Sequence, residues 1–124
     1  MGRQENVEIF EDTQRLYRSN ERLISAIKNS SAAQECFTGM GRYWYGPEHR
    51  IYQKPVQTVI SPKRTLEAAA PYVYAGKKVC VLNFALATKP GGGVVKGSSA
   101  QEEAICRCST LYPNLKAERA WEKF

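Results

Sequence analysis

The stretch "KPGGGVVKGSSAQEEAICR", from Lys89 to Arg107, places three consecutive glycines a short segment ahead of two adjacent glutamates. Glycine loses more conformational entropy on folding than any other residue, so a run of three indicates a backbone that needs its freedom. After a buried strand, such a loop lets backbone N–H groups approach an anion, and the next helix offers its positive N-terminus. The pattern therefore predicts that Gly91, Gly92 and Gly93 bind a ligand such as a pyrophosphate.

Two familiar phosphate loops do not fit this stretch. A P-loop requires a lysine directly after its last glycine, but here Lys96 precedes Gly97. The dinucleotide fingerprint, if it began at Gly91, would require a glycine at the position that Lys96 occupies. The prediction of an anion site therefore rests on general backbone chemistry and not on either motif.

The two glutamates allow a structural and a catalytic interpretation. Ser99 and Glu102 have the spacing of a capping box, which predicts that Glu102 satisfies the first turn of a helix. That explanation does not extend to Glu103. A carboxyl group beside another carboxylate and bound phosphates is favoured in its protonated form, and such a group can act as a general acid. Glu103 is therefore the candidate catalytic acid.

Along the chain, helical and strand-like segments alternate. The apolar period predicts a helix over 7–28, and the composition predicts strands over 55–60 and 77–87 and a short one near 50–53. A further helix is expected from 61 to a stop at Gly76, with Pro71 as an early end, and another over 98–112. This order predicts an α/β fold with the ligand loop after the carboxyl end of a strand.

Composition indicates one small, basic domain. The chain has 124 residues, 43% of them hydrophobic, and a net charge of +6. The charge indicates either an anionic partner or simply a soluble basic surface. Four aromatic side chains could stack bases or pack as a surface loop on the core, and both readings stay open. They are Tyr43, Trp44, Tyr45 and Tyr52.

The cysteines and the single histidine give no pattern of metal ligands. Cys106 and Cys108 form an isolated pair without a second pair at zinc spacing, and His49 has no ligating neighbours. Cys80 lies in an apolar run and is expected to pack as a small hydrophobic residue, and Cys36 stands alone. With a polar N-terminus and no long apolar run, the sequence predicts a cytoplasmic protein with reduced thiols and no membrane contact.

The segment 81–112 resembles the signature of the microbial-type poly(ADP-ribose) glycohydrolases, members of the macrodomain superfamily. That signature is a triple-glycine loop, six to eight residues, and then Gln-Glu-Glu. Here the loop is followed by the seven residues "VVKGSSA" and then by Gln101, Glu102 and Glu103. The flanking "NFA", "KPGGG" and "STLY", and more weakly the "EDT" of the N-terminal helix, also look like the family.

The resemblance implies a three-layer α/β/α macrodomain with a mixed sheet that is incomplete in this chain. Family members are about twice as long, so residues 1–124 are expected to form the N-terminal portion of one domain. Within it, we expect a helical segment over about 1–35 and the catalytic-loop region over about 55–112.

The resemblance also implies the roles of the site residues. Glu103 would protonate the departing ribose oxygen and then deprotonate water, while Glu102 would hold hydroxyls of the neighbouring ribose. Substrate contacts, including backbone amides against the diphosphate, are expected at Asn83, Gly91, Gly92, Gly93, Val94 and Gln101. Neither a cofactor nor a metal is implied.

The implied partners are ADP-ribose, poly(ADP-ribose) and ADP-ribosylated proteins, with no specific nucleic acid. The expected location is the cytoplasm, or the nucleus in a eukaryote. Two other functions remain open on the sequence. One is a catalytically inactive ADP-ribose-binding module or truncated remnant, and the other is a basic nucleic-acid-binding protein, which would leave the glycine loop unexplained.

Overall fold

The computed structural model describes residues 2–35 and 53–117, and these form helices joined by loops. The elements are α1 (Arg3–Ser19), α2 (Glu21–Ala32), α3 (Thr65–Tyr74), a short 3-10 helix (Val94–Lys96), α4 (Gln101–Arg107) and α5 (Leu111–Leu115). None of the helices over these residues is long and apolar enough to cross a membrane. The aromatic cluster from Tyr43 to Tyr52, together with Cys36 and His49, lies outside the described residues.

The N-terminal helix predicted over 7–28 is in fact two helices. The chain leaves helical geometry at Asn20, whose φ of −96° and ψ of 115° are extended. The Asn20 side chain accepts hydrogen bonds from the backbone N–H groups of Arg22 and Leu23, at 3.0 and 3.2 Å. Asparagine is among the best N-cap residues, so it ends α1 and begins α2 while the apolar period continues through the break.

A small core joins α1 to the glycine loop and α4. Phe10, Val94 and Cys106 are fully buried and in contact. Around them pack the partly buried side chains of Leu111, Tyr112 and Leu115. The rings of Phe10 and Tyr112 meet edge to face with their centroids 5.1 Å apart, an arrangement that aromatic pairs favour. The glycine loop is therefore anchored through Val94 between two helices.

The predicted α/β fold class, a macrodomain-like three-layer α/β/α with a mixed sheet, is wrong for the part of the chain that the structure describes. Segments 55–60 and 77–87 contain no strand, and residues 50–52 of the third expected strand lie outside the description. A strand persists only when neighbouring groups satisfy its backbone N–H and C=O groups, and no second described segment pairs with these two.

The side chains of these two segments show that no layer formed by residues 2–35 and 53–117 covers them. Their apolar residues are largely exposed, among them Val56, Val59, Ile60, Leu82 and Phe84. Cys80 is also exposed, so the prediction that it packs in the interior is wrong. β-Branched residues are suited to a pleated sheet that is buried on at least one face. The composition of a segment does not determine whether another part of the chain will cover that face.

The other helix boundaries follow local capping chemistry. α3 begins at Thr65 and continues through Pro71, so the expected early end there is wrong, whereas Gly76 follows the helix end with a left-handed φ of 72°. The helix expected over 98–112 is interrupted because the Ser109 hydroxyl donates to the carbonyl of Ile105 and accepts from the N–H of Leu111. Serine side chains compete with helical hydrogen bonds in this way.

Candidate active site

The glycine loop takes a conformation that ordinary residues rarely adopt. Gly91 and Gly92 have φ angles of 73° and 55°, in the left-handed region. Space is equally restricted, because a Cβ at Gly91 would lie 2.6 Å from Cδ2 of Tyr112. Both glycines are buried. The sequence-based expectation that this loop needs glycine for backbone reasons is confirmed at these two positions.

Glu102 is buried and binds backbone N–H groups with both carboxylate oxygens. Only 3% of the residue is exposed. Its Oε1 accepts from the N–H of Gly91 at 3.1 Å, and its Oε2 accepts from the N–H of Leu86 at 3.0 Å. The capping box predicted for this residue does not form, because α4 begins after Ala100 without a side-chain cap. Glu102 instead joins the loop to the segment that precedes it.

Glu103 faces the same loop from the next position of α4. It is 8% exposed, and its Oε1 accepts from the N–H of Gly93 at 2.9 Å. A Cβ at Gly92 would collide with that oxygen and would lie 3.5 Å from Oε2 of Glu102. The two carboxylates therefore converge beside Gly92. Oε2 of Glu103 accepts no hydrogen bond from any group in 2–35 or 53–117, so it has lone pairs available for a further donor.

All three glycine amides have acceptors within the chain. The N–H groups of Gly91 and Gly93 donate to Glu102 and Glu103, and that of Gly92 donates to the carbonyl of Lys89 at 3.0 Å. The loop thus holds side-chain carboxylates at the amides that the sequence assigned to an anionic ligand. An incoming phosphate would have to replace a carboxylate at one of these amides.

The remaining predicted contacts have different surroundings. Val94 has a fully buried side chain in the core. The amide of Gln101 donates to the carbonyl of Leu82 at 2.8 Å and accepts from the N–H of Phe84 at 2.9 Å. Asn83 lies between those two residues, and its Oδ1 is buried without a hydrogen-bond partner among the described residues. Asn83, the glycine loop and the start of α4 are brought together through Glu102.

Three polar residues that the sequence reasoning missed support the loop from behind. Arg107 is buried, and its guanidinium donates to the carbonyl of Ser98. Thr13 of α1 donates its hydroxyl proton to the carbonyl of Arg107 at 2.5 Å. Asn6, also on α1, donates from Nδ2 to the carbonyl of Gly97 at 3.0 Å. No sequence pattern paired α1 with the loop, since these bonds span more than 90 residues.

Cys106 lies beneath the carboxylates as a neutral thiol. Burial raises the pKa of the Cys106 thiol to about 12, and the negative charges of Glu102 and Glu103 act in the same direction. Arg107 opposes the shift only in part. The thiol therefore serves as a packing group at this position and is not a nucleophile near neutral pH.

Other parts of the described chain are weaker candidates for a functional site. Residues 2–35 and 53–117 contain no group of three His, Cys, Asp or Glu side chains suited to a metal ion. A shallow, open depression of about 490 Å³ is lined by residues of α2 alone, away in sequence from the loop and α4. The convergence of two buried carboxylates on a glycine loop is therefore the strongest candidate for an active site in the described chain.

Comparison with known proteins identifies the family. A family model described as "Microbial-type PARG, catalytic domain" matches residues 3–123, where PARG denotes poly(ADP-ribose) glycohydrolase. Comparison with curated proteins gave no match, and comparison with solved structures gave none either. The match includes both carboxylates and the whole glycine loop. Because it spans nearly the entire sequence, the chain belongs to the family of microbial-type PARG catalytic domains.

Proposed function

We propose that this chain hydrolyses the ribose–ribose O-glycosidic bonds of poly(ADP-ribose) and releases ADP-ribose, with Glu103 as the general acid and base. Membership of a PARG family supports the glycohydrolase class and ADP-ribose polymers as substrates. The observation that carries the residue assignment is the buried position of Glu103, which holds one oxygen on the loop and leaves the other free.

In the proposed reaction, Glu103 begins protonated. It gives its proton to the departing ribose oxygen while the bond from that oxygen to the anomeric carbon breaks, and the electron pair leaves with the oxygen. Water then adds to the positively charged anomeric carbon, and the Glu103 carboxylate takes the water proton, which restores the acid. The substrate diphosphate would stabilise the developing charge by Coulomb attraction.

In this proposal, substrate binding releases the acid from the loop. A diphosphate oxygen at the N–H of Gly93 replaces Oε1 of Glu103, which now holds that position at 2.9 Å. The carboxyl group of Glu103 then has no bond to the loop and can turn toward the departing ribose oxygen, as the first step requires.

Glu102 has a different proposed part, because its two oxygens already accept from the N–H groups of Gly91 and Leu86 and from Nδ2 of Asn83. A carboxylate offers about four lone-pair sites, so about one remains for a ribose hydroxyl without breaking any of these bonds. Glu102 would therefore orient the ribose and keep the loop closed at the same time. Asn83 would assist it from the preceding segment.

The test is hydrolysis of labelled poly(ADP-ribose) by the wild type and by Glu103→Gln, with exposed Glu11→Gln as the matched control. The amide keeps the shape of the acid but cannot exchange the proton. We expect kcat to fall by roughly 10²- to 10⁴-fold, with little change in the Kd for ADP-ribose. Unchanged turnover by Glu103→Gln would remove Glu103 from this role.

Calorimetry with ADP-ribose separates the remaining possibilities. Binding by the wild type without turnover of the polymer would favour an ADP-ribose-binding module over an enzyme. Affinity for plain RNA or DNA that falls steeply with salt, without ADP-ribose binding, would instead favour a nucleic-acid-binding protein.

A further inference from the structure

We propose that Gln101 is a positioning residue whose side-chain amide takes the place of a neighbouring strand and holds segment 82–86 against the first turn of α4. The hydrogen-bond geometry carries this inference. Its consequence for catalysis rests on the proposed function, but the positioning itself does not.

The two hydrogen bonds of Gln101 have the donor and acceptor pattern of one residue pair in a β-ladder, and we call this pair of bonds the rung. Its Nε2 donates to the carbonyl of Leu82 at 2.8 Å, and its Oε1 accepts from the N–H of Phe84 at 2.9 Å. In a parallel sheet, one residue donates its N–H to the carbonyl before a facing residue and accepts from the N–H after it. The facing residue here is Asn83, and a side-chain amide supplies the N–H and C=O that a strand would supply.

Glu102 continues the same edge two residues further along. Its Oε2 accepts from the N–H of Leu86 at 3.0 Å, so alternate N–H groups, at 84 and 86, face α4. Alternation with a period of two is what an extended segment requires. Its other oxygen accepts from Gly91, so one helical turn holds both the extended segment and the glycine loop.

Hydrogen bonds carry most of this attachment, because the segment has little packing. The residues Leu82 and Phe84 are 70% and 69% exposed. Asn83, between them, turns its Nδ2 toward Oε1 of Glu102 at 3.5 Å. The two hydrogen bonds of Gln101 therefore fix the position of Asn83 relative to the carboxylates. Without them, the segment would be attached to α4 through the contacts of Asn83 and Leu86 with Glu102.

The direct test measures hydrogen exchange of backbone amides by NMR in Gln101→Met, which keeps the side-chain length and removes both polar atoms. Gln57→Met, at an exposed position without hydrogen bonds to other described residues, is the control. We expect the Phe84 amide to exchange about five- to tenfold faster in Gln101→Met, as for the loss of one ordinary hydrogen bond. Amides of α2 should be unchanged. Equal Phe84 exchange in the wild type and Gln101→Met would overturn the proposal.

A second variant distinguishes a specific rung from general packing. In Gln101→Glu, the protonated carboxyl group offers one donor and one acceptor like the amide, whereas the carboxylate would turn an oxygen toward the carbonyl of Leu82. The defect in Phe84 exchange should therefore be present at pH 8 and shrink on acidification to pH 4, below the ordinary glutamate pKa of about 4.3. The ionisable groups on the elements packed here are Glu102, Glu103 and Arg107 on α4, Glu67 on α3, which packs against α4, and Arg64 at the N-cap of α3. They are common to all variants, so each rate is divided by that of Gln57→Glu at the same pH.

The outcomes keep the two proposals apart. A Gln101→Glu defect of the same size at every pH would refute the rung, whatever the enzyme does. If the wild type hydrolyses the polymer, Gln101→Met should raise KM more than it lowers kcat, because Asn83 and Glu102 are displaced whereas Glu103 has no hydrogen bond to segment 82–86. A fall confined to kcat would contradict the catalytic consequence. If the wild type proves inactive, the exchange measurements still decide whether Gln101 positions the segment.

Discussion

Replacing Gly92 with alanine tests the central geometry of the site, where backbone conformation and both carboxylates meet. Gly92 has a φ of 55°, and a Cβ there would collide with Oε1 of Glu103 and lie 3.5 Å from Oε2 of Glu102. Gly76 offers a matched control, because its φ is 72° but a Cβ there would have no atom within 4 Å. Gly76→Ala therefore isolates the cost of the backbone conformation alone.

The expected cost follows from adding the two effects. A left-handed φ costs an alanine about 1–2 kcal/mol, and this is the whole effect expected for Gly76→Ala. At Gly92 the methyl group also displaces the Glu103 carboxylate from the N–H of Gly93, a charged hydrogen bond worth about 1.5–3 kcal/mol. Gly92→Ala should therefore lower the free energy of unfolding by about 2.5–5 kcal/mol, roughly a third to a half of what a small domain possesses.

Urea unfolding followed by circular dichroism gives both free energies, and amide exchange at Gly93 reports the displaced carboxylate directly. We expect Gly92→Ala to be less stable than Gly76→Ala by about 1.5–3 kcal/mol and to show faster Gly93 exchange. If the two variants lose the same stability, Glu103 does not occupy the space beside Gly92 and the site geometry is wrong. If Gly92→Ala is too unstable to unfold measurably while Gly76→Ala unfolds normally, the ordering is still as expected.

Four further predictions address the surroundings of the site. Because burial raises the pKa of Cys106 to about 12, iodoacetamide at pH 8 should label exposed Cys108 and leave Cys106 unmodified until urea unfolds the chain. The same raised pKa means that the unfolded thiol ionises first, so stability should fall as the pH rises from about 9 to about 12, and less so in Cys106→Ala. Phe10→Ala should cost about 3–5 kcal/mol in urea unfolding, because Phe10 is 2% exposed in a small core. Arg107→Met should lose about 1–2 kcal/mol and speed amide exchange in loop 91–98, since it removes the donor to a loop carbonyl; unchanged exchange would contradict that support.

Local signals in the sequence predicted the conformation of the glycine loop better than they predicted the fold. Three glycines followed by Gln-Glu-Glu placed a constrained loop beside two carboxylates, and both Gly91 and Gly92 prove to need positive φ angles. Such requirements are set by nearest neighbours and are therefore visible in a short motif. The strands over 55–60 and 77–87 were a different kind of prediction, because a strand depends on a partner that its own composition does not specify.

The errors at helix ends have the same physical origin. Apolar periodicity runs through Asn20, so it predicts one helix where side-chain capping makes two. The Asn20 side chain is a recognised capping group, and weighing it above periodicity would have found that break. At Ser109 the hydroxyl competes with the helical hydrogen bonds, as serine side chains do. The contacts of Asn6 and Thr13 with the loop region had no such signal, since they join residues more than 90 positions apart.

Glu102 and Glu103 have a structural role in addition to their proposed roles in binding and catalysis, and variants of this site must be interpreted with both roles in mind. Glu102 and Glu103 hold three backbone amides, so they are structural anions before any substrate arrives. Loss of activity in a Glu102 variant would follow equally from a missing ribose contact or from an opened loop, because two backbone N–H groups, that of Gly91 buried, would lose their acceptor. Only a paired measurement separates these causes: loop opening accelerates exchange at Gly91 and Leu86 without ligand, whereas a lost ribose contact weakens ADP-ribose binding with exchange unchanged. For Glu103, whose second oxygen has no donor among the described residues, catalysis and structure can be separated by Glu103→Gln, since the amide oxygen can still accept from Gly93.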